Sequence, residues 1–289
     1  MRRACAVVTG IAALALAAPS PGAEDASETA LLVATTTSVQ DSGLLEVLLP
    51  EFEKASGIRT RVVAVGSGAA LEMGARGDAD LVLSHAPESE KRLLAKGAFV
   101  SRRPFMENFF VIAGPTEDPA RVREAASAPE ALRRIAEAHA AYVSRGNDSG
   151  THQRERALLA AAGLGAEARW EGFSSTGGGM GITLQVAGEK RAYILSDIGT
   201  FLAFRERTRL EALSKPEASL RNEYSILRPN PGLFPAGRQP ASAAADRLEA
   251  FLVDPATQAR IGLFGVDRFG RPLFTPIARP GSGEAGPGS

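Results

Sequence analysis

Short apolar runs alternate with helical periods along most of the chain, and this alternation limits the fold more than any other feature. LLVAT (31–35), RVVAV (61–65), DLVLS (80–84), FFVIAGP (109–115), AYVS (141–144), AYILS (192–196) and EYSILRP (223–229) read as strands. After the first of them Leu44, Leu45, Leu48, Leu49 and Phe52 fall on one helical face, with Gly57 as a stop. Pro50 lies inside that helix and is expected to kink or break it. Residues 87–96, 129–140, 152–162, 179–189 and 197–208 read as further helices, and ADRLEAFLV and ATQARIGLF close the chain as two more. Such alternation predicts α/β architecture, a mainly parallel sheet with helices on both faces. A length of 289 residues suits two lobes better than one. The strands at 109–115 and 223–229 are the natural crossings between them. Residues 24–114 then form the first part of lobe 1 and 115–222 form lobe 2. Residues 223–278 make the return crossing and the rest of lobe 1, and the Gly/Pro/Ser-rich residues 279–289 form a disordered tail.

The N-terminus reads MRRACAVVTGIAALALAAPSPGA: two arginines, a short apolar run, then small residues and prolines. This is the pattern of a secretory signal peptide covering 1–23, cleaved near Ala23, and it predicts a periplasmic protein. Cys5 precedes most of the apolar run, so it is not placed as a lipid-anchoring cysteine. No later stretch reaches the roughly 18 apolar residues of a membrane span. Loss of residues 1–23 removes Arg2 and Arg3 and no acid, leaving a formal charge of −2. That balance argues against nucleic acid as a partner.

Several predicted strand-to-helix junctions carry polar, glycine-rich loops: ATTTSVQDSG (34–43), VGSGAA (65–70), SRGNDSGTH (144–152) and STGGGMG (175–181). A helix N-terminus presents free N–H groups and partial positive charge, which favour an anion. Thr36, Thr37, Ser38, Ser67, Ser149 and Thr151 add hydroxyl donors, and Arg145 adds charge and a planar fork of N–H groups. Any one of these loops alone is explained as helix capping, and Arg145 alone as an ion pair with Asp148. Together, in an exported two-lobe chain, they describe a cage of donors for a small oxyanion.

TTTSVQDSGLLEVLLPEFEKASGI, VGSGAALEMGARGDADLVLSHAP and SRGNDSGTH resemble the TupA-type tungstate-binding proteins of bacterial ABC transporters, and GMGITL and NPG extend the likeness over nearly the whole mature chain. The resemblance implies a type II periplasmic binding protein: two α/β lobes joined by two crossing strands, with the ligand in the cleft. It implies capture of tungstate, or of molybdate, and delivery to the membrane permease of an ABC transporter by a monomer. It places Thr36, Thr37, Ser38, Ser67, Arg145, Ser149 and Thr151 at the anion, with no cofactor and with tungsten present only as the bound oxyanion. Asn147 stands where the family commonly has aspartate, and MENFF (106–110) replaces the usual M-Y-N-D-F.

Two other functions stay open at this level. Tungstate, molybdate and sulfate only accept hydrogen bonds at neutral pH, whereas phosphate usually carries a proton and profits from a carboxylate acceptor. Phosphate is therefore the alternative if Asp148 faces the cavity; tungstate stands if Asp148 turns to Arg145 or caps the helix at Thr151. The other is a secreted serine hydrolase using Ser149 with His152 and Asp148, against which GNDSG is not the G-x-S-x-G elbow. His85, His139 and His152 show no short metal-ligand spacing, so no metal site is expected.

Overall fold

The computed structural model describes residues 30–237, 239–278 and 284–286. The expected signal peptide, 1–23, lies outside the described residues. The first lobe begins with β1 (Leu31–Thr36), α1 (Thr37–Ser42), α2 (Leu44–Ser56), β2 (Thr60–Val65), α3 (Ser67–Ala75), β3 (Leu81–Ser84) and α4 (Pro87–Ala95). The long strand β4 (Phe99–Gly114) leaves it. The second lobe holds α5 (Ala128–Glu137), β5 (Tyr142–Ser144), α6 (Gly150–Ala161), β6 (Phe173–Ser175), α7 (Met180–Glu189), β7 (Ile194–Asp197), α8 (Ile198–Thr208) and β8 (Glu211–Ala212). The chain returns through β9 (Arg221–Pro229) and ends with α9 (Ser242–Val253), α10 (Pro255–Leu263), α11 (Val266–Phe269), β10 (Thr275–Pro276) and β11 (Glu284–Ala285).

In the first lobe β1 runs parallel to β2 and β3, and β9 pairs antiparallel with both β3 and β4. In the second lobe β5 and β6 are parallel, and a parallel bridge joins Tyr142 to Tyr193 beside β7. The parallel expectation therefore holds within each lobe and not for the crossings: a chain that goes out on β4 and comes back on β9 must pair with itself antiparallel. β4 belongs to both sheets. Its residues Phe99–Phe109 pair with β9, while Phe110–Ala113 pair with β7.

Both faces of each sheet are covered, as the near-continuous apolar strands require. Leu44, Leu48 and Phe52 of α2 pack with Leu248 and Leu252 of α9 on one face of the first lobe; Ala70 and Leu71 of α3 cover the other with Val82 and Phe99. In the second lobe Leu132 and Ile135 of α5 meet Leu158 and Leu159 of α6, and Leu184 of α7 meets Phe201 of α8.

Two local expectations are corrected. The helix runs on through Pro50, and the break falls earlier, at Gly43, whose left-handed backbone (φ 80°) ends α1 and opens α2. Within the expected disordered tail, residues 284–286 form an edge contact with β4: Glu284 pairs in register with Arg102, and the Gly286 N–H donates to the Val100 carbonyl. The open edge of β4 and the Arg102 charge supply the partners that composition alone does not reveal. The rest of 279–289 lies outside the described residues.

Candidate functional site

Four helices start at the boundary between the lobes, each directly after a strand or a polar loop. Thr36 caps α1, its Oγ1 accepting from Val39 N. Gly66 precedes Ser67 at the start of α3. Ser149 caps α6, with Oγ accepting from His152 N at 3.3 Å. Gly179 opens α7. The lobes touch through these starts. Arg145 Nη2 donates to Thr37 Oγ1 across the boundary at 3.4 Å, and Gly150 N donates to Ser67 Oγ at 3.1 Å. The structure is thus of the closed arrangement, and it brings Thr37, Ser67, Arg145 and the Ser149–Thr151 turn to one place.

Arg145 is 2 % exposed, yet among the described residues it has no carboxylate within ion-pair distance. Its Nε donates to the Gly178 carbonyl at 3.2 Å, and Nη1 has no hydrogen-bond partner among the described residues. Burial lowers its pKa, an effect opposed by the charges of Asp197 and Asp41 nearby. Thr151 Oγ1 is buried and likewise without a hydrogen-bond partner, while the buried Ser38 Oγ lies against the Asp197 carboxylate. Buried polar groups are nearly always satisfied, so an orphaned hydroxyl beside an unpaired guanidinium points to an absent acceptor. Thr36 and Ser149 accept cap bonds on their oxygens and keep the hydroxyl hydrogen free to donate.

Asp148 takes neither of the roles expected of it. Its backbone is left-handed (φ 53°), its side chain is exposed, and it makes no ion pair with Arg145. Ser149, one residue later, has the extended backbone that a cap requires and performs the capping. The acids that do stand near Arg145 are Asp41 and Asp197, which the sequence reading passed over. Asp197 is buried and caps α8: Oδ1 accepts from Thr200 N and Oδ2 from Thr200 Oγ1, both at 2.8 Å. Burial raises its pKa while those two bonds oppose the shift. The signal was the stretch SDIGT, another acid at a strand-to-helix junction.

The hydrolase geometry is not formed. Ser149 Oγ meets the His152 backbone N–H, and the His152 ring accepts instead from Asp148 N, through Nδ1 at 3.1 Å. Asn147 has a task that aspartate cannot perform: Nδ2 donates to the Gly178 carbonyl at 2.9 Å while Oδ1 accepts from Ser149 N, tying the arginine loop to the start of α7. Among the described residues no group of three or more His, Cys, Asp or Glu side chains is placed to hold a metal.

Behind the cleft a buried polar chain joins the crossings. Asn222 donates through Nδ2 to Asn108 Oδ1 and to the Tyr224 hydroxyl, so its Oδ1 accepts from His85 Nδ1 at 2.8 Å. Burial pulls the His85 pKa down to about 4, which keeps the ring neutral at pH 7. His85 also backs onto the site: a Cβ on Gly150 would stand 2.7 Å from its carbonyl oxygen. Gly150→Ala should therefore hold the lobes apart. The expected result is ligand binding weakened by about tenfold or more, some 1.4 kcal/mol, with the ligand-free melting temperature nearly unchanged. Calorimetric titration beside thermal denaturation checks this.

A family model described as a PBP superfamily domain matches residues 23–252. The tungstate-binding protein TupA of Peptoclostridium acidaminophilum is 36% identical over 291 residues, a match that covers 96% of this chain and 99% of that protein. The chain belongs to the TupA family. Solved TupA-family structures agree in fold. The tungstate ABC transporter structure from Geobacter sulfurreducens is 41% identical with a TM-score of 0.72, covering 80% of this chain and 96% of that one. TupA from Desulfovibrio alaskensis G20 is 38% identical with a TM-score of 0.73, covering 86% and 99%. The fold is thus shared with these two solved structures, and these relatives are solute-binding proteins rather than enzymes.

Proposed function

We propose that this chain is the extracytoplasmic binding protein that captures tungstate, with molybdate as its nearest competitor, and delivers it to the permease of an ABC transporter. The observation that carries the reading is the buried Arg145 with no carboxylate partner, flanked by the unpartnered hydroxyl of Thr151. Relatives named for tungstate binding support the choice of ion. In this reading Thr37, Ser67 and Ser149 turn their hydroxyl hydrogens to the oxyanion, Thr36 shapes the first loop, and the N-termini of α3, α6 and α7 add their partial charge. Export with cleavage near Ala23, and action as a monomer, complete the proposal.

Phosphate is the weaker reading. A protonated oxyanion needs an acceptor; Asp148, the acid expected to supply one, is exposed, and the buried Asp197 already accepts two hydrogen bonds from Thr200. Calorimetric titration with tungstate, molybdate, sulfate and phosphate across a pH series tests the proposal. Tight tungstate binding with weak phosphate binding at every pH is expected. Phosphate affinity that rises as phosphate gains its proton would overturn it.

A further inference from the structure

The deepest carboxylate of the second lobe takes no part in the cleft as described so far. Glu155 on α6 is 2 % exposed and has no cation within ion-pair distance among the described residues. Its two oxygens are each held by one hydroxyl of β5: Tyr142 Oη donates to Oε2 at 2.9 Å, and Ser144 Oγ donates to Oε1 at 2.5 Å. An isolated buried charge is costly, so a carboxylate kept there calls for a reason.

Ser144 supplies one. It stands directly before Arg145, and its Oγ accepts the Gly146 N–H at 3.2 Å. Gly146 has a left-handed backbone (φ 61°), so this bond closes the sharp turn on which Arg145 is mounted. A hydroxyl has one hydrogen. For Ser144 to accept from Gly146, that hydrogen must go to another acceptor, and Oε1 of Glu155 is the one in place. Tyr142 makes the same demand on Oε2. Both oxygens then accept at once, as the two equivalent oxygens of an ionised carboxylate do best. A glutamine offers one acceptor and one donor, and its NH₂ group directed at Ser144 would compete with the Gly146 N–H.

We propose that Glu155 is a positioning residue for oxyanion binding: through Ser144 it locks the Ser144–Gly146 turn and thereby aims Arg145 into the cleft. The inference rests on the anion-binding reading of Arg145. The groups that face Glu155 are Tyr142 and Ser144 from β5 and Arg169 from the segment ahead of β6. Burial pushes its carboxyl up to about 7, opposed by the two hydroxyl bonds and by Arg169. The clamp therefore loosens as pH falls through neutrality and Glu155 takes up a proton. The pKa of His152 on the same helix is lowered from its ordinary value, chiefly by burial; Glu155→Gln leaves it in place, so comparison with wild type isolates Glu155.

The test uses the full chain, with tungstate titrated from pH 6 to 8.5, where that ion carries no proton. Wild type should bind more tightly as pH rises. Glu155→Gln should bind at least about tenfold more weakly at pH 8.5, with a flattened pH profile, and should melt no earlier than wild type there, because a buried charge has been removed. A merely structural residue would lose stability and affinity together. Ser144→Ala should weaken binding similarly, and the double variant should be no worse than the weaker single one. Wild-type affinity and pH profile in Glu155→Gln, or additive losses in the double variant, would overturn the proposal. If the wild-type protein binds no tungstate, the functional reading fails separately. Amide exchange at Gly146 then decides the clamp without ligand: faster exchange in Glu155→Gln supports it, and an unchanged rate refutes it.

Discussion

Arg145→Ala is expected to cut tungstate affinity by about a hundredfold to ten-thousandfold while leaving the ligand-free protein at least as stable as wild type. The estimate follows from two charge-assisted hydrogen bonds to a dianion at about 1.5–3 kcal/mol each, with about 1.4 kcal/mol for every factor of ten. The stability half follows from the environment: the guanidinium is buried, and no carboxylate pairs with it among the described residues. Removing it relieves a desolvation cost in the empty site. Arg145→Lys should recover part of the affinity, since charge returns without the planar fork. Calorimetry gives the first quantity and thermal denaturation without ligand the second. Unchanged affinity would displace the site from Arg145 altogether.

The second large effect concerns stability alone. Arg102 on β4 is 1 % exposed and lies among three carboxylates: Nε donates to Glu90 at 2.8 Å, Nη2 to Glu223 at 2.6 Å and Nη1 to Glu284 at 3.2 Å. Glu90 is itself fully buried on α4, where its other oxygen accepts from Ala86 N. Burial alone would lower the Arg102 pKa; Glu90 and Glu223 outweigh it and raise it. Arg102→Ala strands Glu90 in the interior, at a cost of about 3–5 kcal/mol. For a chain of this size that is a fall in melting temperature of about 6–20 °C. The double variant Arg102→Met with Glu90→Leu should recover most of the loss, because Glu223 and Glu284 are partly exposed and turn to water. A double variant as unstable as the single one would show that packing, not the stranded charge, sets the cost.

What was legible in the sequence follows from where information is local. The apolar runs of β1, β3 and β7 announce themselves because both faces of those strands are buried. The first half of β4 does not. It contains Arg102, Arg103, Pro104 and Glu107, and it becomes a strand only because β9 lies beside it and Pro104 falls at a register shift. The oxyanion loops were readable since hydroxyls and glycines at helix starts have a chemical meaning within a few residues. Asp148 misled because the capping rule names a residue type, and Ser149, next in line, had the backbone for it. Glu155 and Asp197 were invisible as participants, their roles depending on partners set by the fold: hydroxyls of β5 for one, proximity to Arg145 for the other.

β4 pairs with β7 and β8 in one lobe and with β9 in the other. The halves of the molecule therefore cannot part company. Any opening of the lobes is expected to be taken up as torsion in the ribbon that β4 and β9 form. Stripping β4 from one sheet also removes a wall of the other, so heat is expected to melt both halves in a single transition, with spectroscopic and calorimetric midpoints coinciding.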